Sequence, residues 1–444
     1  MTDFIPPYPE RPAEYLGPLE TIKRARNDLL SIWPEIVFTR EFISLKILNY
    51  SVFIANCPEI VRHIFVTNQT NYERKGFVMR SVLEPLAGDG LIISDGKTWH
   101  KHKRLEAPLF TPDYVTKYSH VMIQTTSECI QRWATITPGS TIAVLPEMAK
   151  LTAEIICRTL FGSELTTQQI EQVVEGFAKY QAVMLPKNFP SLLWKRKAKA
   201  AAKGIHEVVD HLIAEGVTKS NEGTLLSLLL KLRNDDDPEN GLTSKQIRNE
   251  LIVLFLAGHE TTANTLAWSW YLISQCPEVE QRLHQEVDKV LANRTATFDD
   301  FSQLNYTQAI IEETLRLYPP IPILSREAKE KDFIRNKEVP AGSTMLIVPW
   351  LLHRHKKLWD KPDHFIPERF LPNAPKPDKY AYIPFSGGPR VCIGKFFATV
   401  ETTLCLAMLA RNFRLTIPEG QTVSHECRLT LRPSDNLPMQ ITPR

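Results

Sequence analysis

Cys392 is the residue in this chain whose surroundings are most clearly built for chemistry. It stands in the run Phe385-Ser-Gly-Gly-Pro-Arg-Val-Cys-Ile-Gly394, two residues after Arg390. An apolar helical pattern begins just beyond, near Lys395. The glycines let backbone approach a large flat partner closely. A helix starting at Lys395 would point its free N–H groups back at the sulfur and favour thiolate over thiol. Arg390 can carry a fixed charge to an anionic group on the same partner. Such a loop can hold one metal by one thiolate. Cys57, Cys129, Cys157, Cys276, Cys405 and Cys427 have no such setting and read as buried small hydrophobes.

A second constellation lies on a long helix. Leu254, Ala257, Gly258, Thr261 and Thr265 share one face by the 3.6-residue period, and the middle of that face is small. Thr261 can bond back to the Ala257 carbonyl and bend the helix. Glu260 sits where an ionisable side chain is expensive unless it is used or solvated. His259-Glu260 could open a zinc-binding HExxH motif, but Ala263 stands where the second histidine must be. Glu313 and Arg316 are an acid and a base at i, i+3; on spacing alone they read as a solvated pair worth about 0.3–0.5 kcal/mol. Gly88-Asp-Gly90 lacks the third glycine of a dinucleotide loop, and no Walker sequence occurs.

The elements that must position these residues are mostly helices. Helical patterns run through 97–110, 114–136, 143–162, 167–184 and 196–216. Trp194-Lys-Arg-Lys-Ala-Lys199 gives the last of these a basic face, expected to be solvated. Thr243-Ser-Lys-Gln246 is a capping box that opens the long helix, which should end near Gln275 before Cys276-Pro277. Its centre, Leu251 to Gly258, is apolar on all sides and must cross a large core. Short β-like runs appear at Ile43–Leu48 and Ser51–Ile54, with a helix after Pro58; strands, turns and coil return from residue 321. Mostly helix with a minor sheet, and no βα alternation, excludes a doubly wound fold.

Bulk properties narrow the function classes. The 444 residues carry 53 basic and 50 acidic side chains, net +3, which gives no reason to expect nucleic acid as a partner. Seven scattered cysteines without a CxxC make neither a disulfide framework nor a structural zinc site. The N-terminus has no signal-peptide pattern, and no run approaches the roughly 18–20 apolar residues of a membrane span. The expectation is a soluble, cytoplasmic protein without a transmembrane anchor.

The pattern Phe-x-x-Gly-x-Arg-x-Cys-x-Gly, complete at Phe385, Gly388, Arg390, Cys392 and Gly394, resembles the haem-binding signature of the cytochrome P-450 family. Ala257-Gly-His-Glu-Thr-Thr262 matches that family's oxygen-activation motif, Glu313-Thr-Leu-Arg316 its ExxR motif, and Pro367-Glu-Arg-Phe370 the partner motif that supplies Arg369. Trp99-His-Lys-His-Lys-Arg104 resembles its Trp-x-x-x-Arg motif, with Lys103 in the arginine's place. The motifs occur in family order over nearly the whole chain.

The resemblance implies a mainly α fold with a small β region (α+β), one domain over 1–444. Its β-rich parts would be about 35–66 and 321–350, and its helical core about 97–320 and 394–411. Haem b would lie between the long helix and the cysteine loop. Cys392 would be the fifth iron ligand, with Phe385, Gly394 and Ala257 against the haem. Trp99, Lys103, Arg326 and Arg390 would hold its propionates, with His102 or Arg104 sharing the role of Lys103; for Arg326 the alternative is an ordinary surface arginine. Glu260 and Thr261 would organise water and protons for dioxygen. Glu313, Arg316 and Arg369 would lock the coil before the loop, with His353-Arg354 as scaffold.

The implied reaction is monooxygenation of a hydrophobic small molecule such as a fatty acid or terpenoid. The substrate pocket would draw on 74–92, 175–195, Leu254, Ala257 and Ile321–Leu324. Two electrons would come from NAD(P)H through a reductase and a separate ferredoxin docked near Lys101, Lys103, Arg104 and Lys395. Two rivals are peroxide-driven or redox-neutral haem-thiolate chemistry, and a non-catalytic haem gas-binding protein. The pair Glu260-Thr261 favours dioxygen chemistry over the first.

Overall fold

A computed structural model describes residues 3–47, 50–162, 166–183, 192–219, 223–237, 239–427 and 430–444. Packing divides the chain into two units: Met1–Arg74, Met122–Leu151 and Thr261–Arg444 form the first, and Lys75–Val121 with Thr152–Glu260 the second. The division falls inside one unbroken helix, Ser244–Ser274.

The first unit carries a four-stranded sheet. Phe42–Ile47 pairs antiparallel with Tyr50–Ala55, which runs parallel to Thr344–Ile347, which pairs antiparallel with Leu324–Glu327. Alternate residues of these strands, among them Phe53, Ala55, Met345 and Ile347, enter a core with Ile60, Val61, Ile64 and Phe65. Helices Pro277–Leu291, Asn305–Leu317 and Lys395–Asn412 belong to the same unit. Val400 and the run from Leu404 to Leu409 of the last are at most 5% exposed, so this helix crosses the core.

The second unit is helical, with Phe77–Ala87, Gly96–Glu106, Thr167–Val183, Leu192–Lys219 and the first half of the long helix. The expected capping box is present: Thr243 Oγ1 accepts from the Gln246 amide at 3.2 Å, and Gln246 Oε1 accepts from the Thr243 amide at 3.1 Å. The long helix ends at Ser274, and the next begins at Pro277, as the Cys-Pro pair predicts. The exposed Arg196, Lys197 and Lys199 form a solvated basic face on Leu192–Lys219. The helix Phe77–Ala87 is not legible from the sequence, because Pro85 lies inside it. Leu48 and 184–191, the latter within the expected pocket segment 175–195, lie outside the described residues. Among the described residues no helix is long and apolar enough to cross a membrane.

Candidate active site

Six of the seven cysteines are buried and Cys392 is exposed, as their surroundings predict. Its loop is fixed by backbone. The Cys392 amide donates to the Phe385 carbonyl at 3.0 Å, and the Val391 amide to the Gly388 carbonyl at 3.1 Å. Gly388 has φ +63°, and a Cβ there would lie 2.0 Å from the Phe65 carbonyl oxygen, so both conformation and space demand glycine. Gly394 differs: a Cβ there would meet Cys392 Sγ alone within 4 Å, at 3.9 Å. The backbone beside the sulfur is open to a close-fitting partner. Surrounding protein pushes the Cys392 thiol pKa up, while the Gly394 amide and the Lys395 charge pull it down. The sulfur thus needs a cation to become a stable anion, and helix Lys395–Asn412 begins three residues later.

The same unit holds a buried ion cluster. Glu313 and Arg316 are both 0% exposed and bound by two hydrogen bonds, Arg316 Nε to Oε2 at 2.6 Å and Nη2 to Oε1 at 2.7 Å. The solvated pair expected from spacing alone is therefore corrected, because helix Asn305–Leu317 is buried along that face. Arg316 also donates to the carbonyls of His353, Pro362 and His364 at 2.6–2.8 Å. Arg369 approaches Glu313 at 3.5 Å, and the Ile366 amide donates to Glu313 at 2.8 Å. His353 Nε2 accepts from the Ile383 amide at 2.9 Å, while Nδ1 lies 3.2 Å from the Arg316 carbonyl. Burial, then the Arg316 charge, depresses the His353 pKa to about 3, so it serves as a neutral clamp.

Arg326 is not a surface arginine. It is 2% exposed, on strand Leu324–Glu327, and its guanidinium lies 5.4 Å from the Phe65 ring centroid. Burial, then the neighbouring Arg390 charge, lowers its pKa to about 10. Two adjacent guanidiniums in a dry setting call for an anion.

In the second unit, Leu251 to Phe255 of the long helix are buried, whereas Ala257 is exposed one turn on. A Cβ on Gly258 would lie 3.1 Å from Ile156, so the small residues bring this helix close to its neighbour. The Thr152 hydroxyl donates to the His259 carbonyl at 3.0 Å. Glu260 closes this unit's part of the helix and Thr261 opens the first unit's part, both half-buried. Trp99 is 4% exposed, and Lys103 Nζ stands 5.2 Å from its ring centroid. His102 is fully buried, with Nδ1 2.5 Å from Glu250 Oε1. Sequence reasoning missed this contact, because Glu250 lies far along the chain from His102.

Lys101, expected among the docking cations, is half-buried, and its Nζ donates to the Gly241 carbonyl at 3.2 Å and to Gln246 Oε1 at 2.9 Å. His100, Lys103 and Arg104 line an open groove of about 520 Å³ on this unit.

These features fit haem on each unit's own terms. An exposed cysteine has room beside its sulfur at Gly394, and a buried arginine beside a second one suits propionates. A family model described as cytochrome P450 matches residues 6–439. Cyclooctatin synthase of Streptomyces melanosporofaciens is 31% identical over 404 residues, covering 88% of this chain and 86% of that protein. Pentalenene oxygenase of Streptomyces avermitilis is 29% identical over 417 residues, covering 90% and 91%. The crystal structure of the cytochrome P450DA heme domain shares the fold, with a TM-score of 0.85 at 24% identity over 99% of this chain and 98% of that one.

Proposed function

This chain belongs to the cytochrome P450 family and is a haem-dependent monooxygenase, and from that premise we propose that it oxidises a terpenoid or similar hydrophobic small molecule. The support for the substrate class is the similarity to pentalenene oxygenase and to cyclooctat-9-en-7-ol 5-monooxygenase of Streptomyces melanosporofaciens, the latter 30% identical over 396 residues. Fatty-acid oxidation is the second reading. The electron donor we propose is a ferredoxin with an NAD(P)H-dependent reductase, docked on the cations Lys103, Arg104 and Lys395. A cytosolic setting belongs to the same proposal, supported by seven free cysteines.

When bound, haem supplies the oxidising chemistry, inserting one atom of dioxygen into substrate while the other leaves as water. In this proposal Cys392 holds the iron, and Arg326 and Arg390 take the propionates with Trp99, His102 and Lys103. Phe385, Gly394 and Ala257 bound the cofactor. Glu260 collects protons from solvent and Thr261 delivers them toward the side where oxygen reacts. Glu313, Arg316 and Arg369 keep the loop in place and touch no reactant.

The observation that carries this reading is the exposed Cys392 on a backbone-fixed loop at a helix start. The test is turnover. The purified protein, a surrogate ferredoxin and its reductase are offered a panel of cyclic terpenes and fatty acids. Substrate-dependent NAD(P)H consumption with a hydroxylated or epoxidised terpene product is the expected result. Oxidation of fatty acids alone would move the substrate class, and turnover with peroxide but not with reductant would refute the electron-transfer scheme.

A further inference from the structure

We infer that His102, Glu106 and Glu250 form a metal site for a divalent first-row transition ion, Zn²⁺ in the first instance, joining helices Gly96–Glu106 and Ser244–Ser274. His102 and Glu106 stand at i, i+4 on one face of the shorter helix, and Glu250 comes from the second turn of the longer one. One ligand atom from each lies within 4.8 Å of the other two, and all three side chains are 0% exposed.

Charge is the first argument. With a neutral imidazole, the three groups hold two negative charges in a fully buried place. Burying unpaired charge is costly. A single shared proton removes one of them; a divalent ion removes both. The neighbouring Lys101 charge acts on Glu250 and offsets part of this, while the forces on Glu106 are burial and Glu250 itself. Asp89 is occupied by Gln246 and Asn249 at 2.9 and 3.0 Å, and Lys101 by Gly241 and Gln246.

The second argument is independent of charge counting. Both carboxylate oxygens of Glu106 are buried and lack a hydrogen-bond donor among the described residues. A carboxylate so placed needs either a proton that lets it hydrogen-bond to the facing Glu250 carboxyl or a bound cation. Burial and the facing Glu250 charge both work against its ionised form. Glu250, in contrast, is held: the Leu91 amide donates to its two oxygens at 2.9 and 3.1 Å. Such outer contacts orient a metal ligand.

Geometry sets what the ion must change. His102 Nδ1 is hydrogen-bonded to Glu250 Oε1 at 2.5 Å and lies 4.0 Å from Glu106 Oε1. Neighbouring ligands of a tetrahedral zinc with bonds of about 2.0–2.2 Å lie roughly 3.4 Å apart, so zinc would replace that proton, part the first pair by about 1 Å and draw Glu106 in. One imidazole and two carboxylates suit zinc or manganese and leave one position for water. Metal on Nδ1 leaves the proton on Nε2, so the site is compatible with the propionate role proposed for His102.

The experiment uses tag-free holoprotein, treated with chelator, dialysed and titrated with Zn²⁺ and separately with Mn²⁺. Calorimetry and elemental analysis should give one zinc per chain in addition to haem iron, with a higher thermal midpoint. Glu106→Gln and His102→Gln should each weaken zinc binding by more than about tenfold. Absence of stoichiometric zinc in the wild-type protein would overturn the proposal. So would an infrared band of a protonated carboxylic acid that disappears in Glu106→Gln while zinc has no effect on it; a shared proton would then fill the place. If a variant does not fold, the wild-type stoichiometry decides by itself.

Discussion

Glu313 illustrates how much one side chain can carry without touching a reactant. It faces Arg316 and Arg369 in a dry cluster, so Glu313→Gln leaves buried positive charge uncompensated. The expected cost is about 3–5 kcal/mol, read from chemical denaturation, together with loss of haem from the purified protein. A change below about 1 kcal/mol would mean the pair behaves as a surface pair after all. The sequence showed the acid and the base but not their burial, because i, i+3 spacing is the same on a wet or a dry face. Arg326 has the same history: its type and place were legible, its depth was not. Thr261 is the chemical counterpart. Thr261→Ala should still bind substrate yet divert electrons to hydrogen peroxide; unchanged coupling of NAD(P)H to product would remove it from the proton path.

At the scale of elements, the cysteine loop depends on a histidine that belongs to another segment. His353 accepts from Ile383, two residues before Phe385, and does so in its neutral form. Its pKa is about 3 folded against the ordinary 6.5, so between those values the unfolded chain binds the extra proton. Stability contributed by this group is therefore complete above pH 6.5 and is lost as pH falls toward 3, by up to roughly 4–5 kcal/mol. His353→Gln should flatten the fall in unfolding free energy between pH 7 and 4; an unaltered slope would assign the acid sensitivity elsewhere. Element boundaries were well legible wherever a local device set them: the Thr243–Gln246 capping box, the Cys276-Pro277 break and the alternating strands near 42–55. Phe77–Ala87 was hidden by Pro85, and the role of Lys101 by a contact to a residue far along the chain.

For the whole molecule, the long helix Ser244–Ser274 contributes residues to both packing units, and we propose that 1–444 melts as one domain. Calorimetry of the apoprotein should show one transition whose calorimetric and van't Hoff enthalpies agree; two separated transitions would contradict it. Overall charge is nearly balanced, so partner docking must come from local cations rather than net charge. Neutralising Lys103 and Arg104 should slow reduction by ferredoxin and flatten its salt dependence, whereas Lys101→Gln should leave the salt dependence as it was. The family-level function was legible because its motifs are local in sequence. Substrate identity was not, because it depends on the shape of apolar segments that composition does not encode.

The bond between Cys392 and iron is tested most directly by the absorbance of the reduced, carbon monoxide-bound protein. Wild type should show a strongly red-shifted Soret band, and Cys392→Ser should lose it while the remaining cysteines are intact. A wild-type band at the position of an ordinary histidine-ligated haem, or an unchanged red shift in the serine variant, would contradict the account.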